Sequence, residues 1–197
     1  MGNPDPEFLA GGGLARDAYE FAAAAHAGQQ RKGGDSPYIA HPTEVARLLD
    51  AEGVADDELI AATFLHDVVE DTDHSIEEIQ QRFGPEVGVI VAAMTEDASV
   101  EPYEARKERH RDQVEAAGRR PALIYAADKL ANLRDMRTRY AAEGEAVAAK
   151  FNAPIDVRVR LWRGDAEMVG RLAPELDILT ALRSELDAFD AERTTTA

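Results

Sequence analysis

The chain has 197 residues and no cysteine, and its 22 Lys and Arg stand against 38 Asp and Glu, a net charge of −16. That length suits one domain, with or without an appended helical segment, and buries a core without help from a disulfide or metal. The lack of Cys excludes disulfide frameworks, thiolate metal sites and Cys nucleophiles. With 45% hydrophobic and 30% charged residues the composition is that of a globular protein rather than a disordered one. No apolar run approaches the ~20 residues needed to span a membrane. The opening MGNPDPEFLAGGG is not a secretory signal, so a cytoplasmic location is expected. An acidic surface repels nucleic acid and anionic lipid, so neither is an expected partner. An anionic substrate would demand local positive charge.

Taken in chain order, the first ~13 residues are rich in Pro and Gly and read as a disordered N-terminus or an expression scar. The domain is expected over 14–197, with a core at 14–139 and C-terminal helices at 140–191. Helix periodicity starts at Leu14 and runs to about Ala27, with Phe21, Ala22 and Ala25 on one face. The loop GQQRKGGDSPYIAHP follows, and Pro42 opens a helix TEVARLLDAEG that stops near Gly53. Asp56 or Asp57 caps a third helix, ELIAATFLHDVVEDT, apolar nearly all round at its centre. Ser75 and Glu78 form a capping box for SIEEIQQRF, Gly84 ends that helix, and Pro85 opens the next. The stretch from Val100 to Arg120 carries both charges densely and reads as an exposed helix or ordered loop. Pro121 begins a long helix, and two amphipathic segments follow, about Ile155 to Leu172 and Pro174 to Ala191. Strand patterns are lacking, so the fold class is all-α, a single helical bundle.

Within the third helix His66 and Asp67 are adjacent in an apolar run, with Glu70 and Asp71 four residues after each, about one turn on. Titratable side chains beside a buried stripe are costly unless paired or bound to a cation. Taken singly, each candidate has a plain structural reading. His41 in PYIAHP reads as a surface His, and Asp128 in YAADKLANLRDMR as a buried Asp pairing with Lys129 or Arg134. Jointly they make two imidazoles and two carboxylates. That set suits a divalent first-row metal, Mn, Fe or Co, with Zn an option, and leaves positions open for water and a phosphate oxygen.

The stretches HAGQQRKGGDSPYIAHPTEVA, AATFLHDVVEDT, FGPEV and DKLANLRDM, in this order, resemble the HD superfamily of metal-dependent phosphohydrolases. They are most similar to the hydrolase domain of RelA/SpoT-type enzymes that degrade the alarmone (p)ppGpp, and within that group to its short stand-alone members. The resemblance spans about Leu14 to Arg139. It implies a helical bundle of the HD-domain type in which His41, His66, Asp67 and Asp128 hold a divalent metal, Mn2+ by preference. Glu70 and Asp71 match the pair that handles the attacking water and the pyrophosphate. Arg31 and Lys32 match the basic pair near the nucleotide, and Asn132 matches an Asn that contacts it. Two departures stand out. The loop GGDS is about one residue longer than in long-form members, and the frequent D-R-L-H-N reads here Asp128-Lys129-Leu130-Ala131-Asn132. Nothing after Ala197 could house a synthetase domain, so hydrolysis alone is expected.

The resulting expectation is metal-dependent release of the 3′ pyrophosphate, giving GDP or GTP, with Glu70 as general base and Asp71 orienting the water. Arg31, Lys32, Lys129 and Arg134 would supply the positive potential that the −16 chain otherwise lacks, with RKERHR (Arg106 to Arg111) either a rim of the site or a solvated face. His26 reads as structural, His74 and His110 as solvent-facing, and Trp162 as core. Tyr38 either stacks on a base or packs. The rival readings are an enzyme of the same superfamily acting on (p)ppApp or NADPH, and a nucleotide-binding sensor without turnover. The small-molecule nucleotide is the expected partner, and a homo-oligomer is compatible with all of these.

Overall fold

The computed structural model describes residues 9–31, 36–150 and 153–196. Among these residues the regular structure is helical, with one isolated bridge, Gln30 to Pro37, at the mouth of the first loop. The helices are α1 (Leu14–Ala25), α2 (Ala40–Ala51), α3 (Asp57–Leu65), α4 (Val68–Asp71), α5 (Ile76–Phe83), α6 (Pro85–Met94), α7 (Tyr103–Ala117), α8 (Arg119–Glu143), α9 (Ile155–Leu172) and α10 (Asp177–Thr196), with a 3-10 helix at Gly144–Lys150.

Local chemistry sets most of the helix starts. Asp56 accepts from Leu59 N–H at 3.1 Å and so caps α3. Its neighbour Asp57 works across space instead. Its two carboxylate oxygens accept from Leu14 and Ala15 N–H at 3.1 and 3.2 Å, closing the N-terminus of α1. Ser75 caps α5 by accepting from Glu78 N–H at 3.3 Å, while the Glu78 carboxylate meets His74 Nδ1 at 2.8 Å. Glu52, at the end of α2, accepts from Asp177 and Ile178 N–H and so caps α10, 125 residues away.

The long helix α8 is the central pillar: α2, α3, α6, α7, α9 and α10 all pack on it. Its first half, ALIYAADKLA, is buried on every side, because it is surrounded rather than laid on a surface. Most of the segment from Val100 to Arg120, expected as an exposed helix or ordered loop, forms α7, and one of its faces is internal, with His110 and Val114 buried.

The helix expected over ELIAATFLHDVVEDT is interrupted. The α3 ladder stops at Leu65, and His66 and Asp67 form a turn before the single turn of α4. The His66 ring causes the break. Its Nδ1–H donates to Thr63 O at 2.7 Å, taking the carbonyl that Asp67 N–H would bond in an unbroken helix. The residues expected to stack as regular i, i+4 pairs are therefore turned to different partners.

The disordered start expected for residues 1–13 needs correcting over its last part. Leu9 is only 1% exposed and belongs to the core, and Gly12 N–H donates to Leu9 O at 3.2 Å. Residues 1–8 lie outside the described residues. Leu9→Ala should lower unfolding free energy by about 2–5 kcal/mol, as for other fully buried leucines. Urea denaturation measures this, and an unchanged midpoint would place Leu9 outside the core.

Candidate metal centre and active site

Three segments, α2, the turn after α3 and the buried half of α8, bring the candidate donors together. His41 lies within the first turn of α2, not ahead of it, because the helix begins at Ala40 and Pro42 occupies its third position, where no N–H is needed. His66 and Asp67 come from the break after α3, and Asp128 from the buried half of α8. His41 Nε2 lies 3.0 Å from Asp128 Oδ1 and 3.7 Å from Asp67 Oδ2. His66 Nε2 lies 3.2 Å from Asp67 Oδ2 and 3.9 Å from Asp128 Oδ1. One donor atom each from His41, His66 and Asp128 falls within 4.8 Å of the others. Ligands about 2.1 Å from a first-row metal sit roughly 3–4 Å apart, so the spacing fits a shared dication.

The chemistry of the donors fits as well. With its Nδ1–H given to Thr63 O, His66 turns Nε2 inward, and in the neutral ring that buried nitrogen presents a lone pair to the Asp67 and Asp128 carboxylates. An imidazole anchored through its other nitrogen by a backbone carbonyl is the usual arrangement of a metal-ligating His. A lone pair facing two carboxylates needs a positive charge between them. Burial opposes charge on His66, yet Asp67 and Asp128 outweigh it and push its pKa up to about 9. In the same way burial works against ionised Asp67, but His66 and His41 hold its carboxyl below the usual range. A dication would take the place of that proton.

Around this centre, Tyr38 OH donates to Asp67 Oδ2 at 2.6 Å, which settles Tyr38 as a support of Asp67. Burial, then the Asp67 and Asp71 charges, push its phenol pKa far up, so it stays a donor. Its ring stacks on His26 at 4.4 Å. His26 is buried, and its Nδ1–H donates to Gln29 Oε1 at 2.8 Å, while Gln29 Nε2 donates to Asp71 O at 2.8 Å. Asn132 Nδ2 donates to Asp128 Oδ1 at 2.6 Å, and Asn132 Oδ1 accepts from Arg31, which also reaches Asp135 at 3.3 Å.

A cavity of about 700 Å³ opens over the cluster. Arg31, His41, His66, Asp67, Glu70, Asp71, Asp128, Lys129 and Asn132 all line it. Glu70 and Asp71 reach solvent at its mouth. Glu70 Oε1 accepts from Glu96 N–H at 2.5 Å. Enclosure by the cavity walls and the nearby Asp67 charge push the Glu70 pKa up to about 7, against the effect of that hydrogen bond. Lys129 does not stand free for an anion: its ammonium bonds Asp128 Oδ2 at 2.8 Å and lies 4.1 Å over the Tyr125 ring. Arg134 does not join the cavity. It is exposed and pairs with Glu185 of α10 at 3.0 Å, because one turn of α8 past Leu130 faces that helix. Lys32 lies outside the described residues.

The far wall was less legible. Tyr103, Arg106, Lys107 and His110 of α7 line it, as do Arg158, Trp162 and Asp165 of α9. Part of the RKERHR run thus forms a wall of the site. His110 is 5% exposed, not solvent-facing, and His74 is half-buried against Phe21, ring centroids 4.7 Å apart. Trp162 is both core and cavity wall, with the Arg158 guanidinium 5.1 Å over its ring. Glu96 gathers Lys107, Arg106 and His110 about its carboxylate. Asp165 binds Arg111 at 2.7 Å and Tyr125 OH at 3.1 Å. The usable signal was a charged residue, Asp165, inside the apolar stripe of an amphipathic helix.

Residues 18–153 match the family model of the HD domain. The chain belongs to the HD-domain family. It is 44% identical over 125 residues to the zebrafish (Danio rerio) guanosine-3′,5′-bis(diphosphate) 3′-pyrophosphohydrolase MESH1, covering 61% of this chain and 67% of that one. The Drosophila melanogaster protein of the same name is 40% identical over 126 residues, covering 61% and 68%. A solved structure described as a metazoan orthologue of SpoT that hydrolyses ppGpp superposes with a TM-score of 0.70 at 31% identity, covering 91% of this chain and 95% of that one. The all-α fold of the HD domain and the clustered His41, His66 and Asp128 donors agree with that membership. No helix among the described residues is long and apolar enough to cross a membrane.

Proposed function

We propose that the chain is a metal-dependent hydrolase that removes the 3′ pyrophosphate of guanosine tetra- or pentaphosphate, releasing pyrophosphate and GDP or GTP. The observation that carries this reading is the inward Nε2 of His66, 3.2 Å from Asp67 Oδ2 and grouped with His41 and Asp128 at the base of a nucleotide-sized cavity. MESH1 enzymes, named for this reaction, are its relatives at 40–44% identity.

His41, His66, Asp67 and Asp128 would hold the cation, Mn2+ in our reading, since two imidazoles and two carboxylates suit a hard-to-borderline dication. When bound, it lowers the pKa of a water and offsets phosphate charge. The residues supply the rest. Tyr38 holds Asp67 in place, and Lys129 and Asn132 hold Asp128. Glu70, with its pKa near 7, takes a proton from the attacking water, and Asp71 orients that water. The water oxygen bonds to the phosphorus attached to the ribose 3′ oxygen. The bond from that phosphorus to the 3′ oxygen breaks, and a proton goes to the 3′ oxygen. Arg31 approaches the nucleotide from the first loop, beside Asn132. The basic wall of α7 and α9 raises the local potential that a −16 chain needs to receive a polyanion.

The test is a substrate panel with Mn2+: guanosine 3′,5′-bis(diphosphate), its adenosine counterpart, and NADPH, with pyrophosphate and phosphate release measured separately. Pyrophosphate release from the guanosine compound, fastest of the three by kcat/KM, is expected. Faster turnover of either adenine nucleotide would overturn the substrate assignment. Binding without any release by metal-loaded protein would make the chain a sensor.

A further inference from the structure

Gln113 lies on α7 away from the cavity lining, yet it is tied to Glu70 through a single peptide unit. Helix α6 ends at Met94, and the carbonyls of its last turn lack intrahelical partners. The Gln113 carboxamide nitrogen donates into that end, 3.0 Å from Ala92 O, 3.1 Å from Ala93 O and 2.9 Å from Thr95 O. The Thr95 carbonyl and the Glu96 N–H belong to the same planar peptide. That N–H donates to Glu70 Oε1 at 2.5 Å. One rigid plate therefore has Gln113 on its carbonyl side and Glu70 on its N–H side. Hydrogen bonds in such a chain also polarise one another. The Glu96 side chain adds a second hold on the same segment, through Lys107, Arg106 and His110 of α7.

We propose that Gln113 is a positioning residue for Glu70: its carboxamide sets the plane of the Thr95–Glu96 peptide, and that plane aims the Glu70 carboxylate. The inference deepens the proposed function, resting on Glu70 as the base. In the alternative, Gln113 is only a cap for α6, contributing stability and nothing to turnover.

The test uses full-length Gln113→Met, which keeps the length of the side chain and removes the donor, and Gln113→Lys, which restores a donor suited to a helix C-terminus. The assay is turnover of guanosine 3′,5′-bis(diphosphate) with Mn2+, with bound Mn2+ and Tm recorded for every variant. Gln113→Met is expected to lower kcat by about tenfold with KM within about twofold and Mn2+ content unchanged, since misplacing a reacting group acts on the chemical step. Gln113→Lys should regain most of that loss. In the Glu70→Gln background, where there is no base to aim, Gln113→Met should cost nothing further. If Glu70→Gln is slow while Gln113→Met leaves kcat unchanged, or multiplies in the double variant, the positioning role is wrong and the reading of Glu70 survives. If Glu70→Gln turns over normally, that reading fails and the role of Gln113 goes with it.

Discussion

Glu70→Gln lowers kcat by about 10²-fold or more while Mn2+ stays bound, the result expected of losing a general base and keeping the ligands. Glutamine preserves the hydrogen bond that Glu70 Oε1 accepts from Glu96 N–H, so the loop keeps its shape and only the proton acceptor goes. The pH dependence follows from the raised pKa. Below about 7 the Glu70 carboxyl holds its proton and cannot accept another, and above that value it is ionised and competent. The rate therefore climbs with pH and levels off. A cation bound beside Asp67 pulls the inflection lower, because it favours the charged carboxylate. Steady-state kinetics from pH 5 to 9 check both points. An ascending limb that persists unchanged in Glu70→Gln would assign the base elsewhere.

Asp67→Ala is expected to abolish activity and metal binding together. Its Oδ2 lies within 3.7 Å of both cluster imidazoles, and without it the set has one carboxylate to neutralise two positive charges. Removing groups that merely support metal ligands already costs 10–100-fold in affinity, so deleting a ligand should cost at least about 100-fold. Titration calorimetry with Mn2+ and metal analysis of the purified protein measure it. Retained stoichiometric Mn2+ would confine the ligand set to His41, His66 and Asp128. The Glu70 and Asp67 variants thus separate chemistry from assembly: one should be loaded and slow, the other unloaded.

What the sequence makes legible depends on the range of the interaction. Asp56, Ser75 and Gly84 act on residues within one turn, so their caps and stops follow from neighbours in the chain. The break after Leu65 lay beyond that reach, because it depends on the His66 ring choosing the Thr63 carbonyl over the ladder. Arg134 and Lys129 looked equally available for an anion. Which way a helical side chain faces is decided by what packs there: Glu185 of α10 for one, Asp128 and the Tyr125 ring for the other. By sequence His110 reads as solvent-facing, but a helix wedged against α6, α8 and α9 has an inner side whatever its composition.

Sequence by itself determined the helical class, since period and capping are local properties, and it singled out His41, His66, Asp67 and Asp128 as candidate donors by residue type and order. Only the tertiary structure decided that His41, His66 and Asp128 present donor atoms within 4.8 Å of one another, that a second wall from α7 and α9 closes the cavity, and that Gln113 reaches Glu70 through one peptide. The reason is that such contacts join residues tens of positions apart. Their formation depends on how helices pack around α8, which no window of the chain encodes.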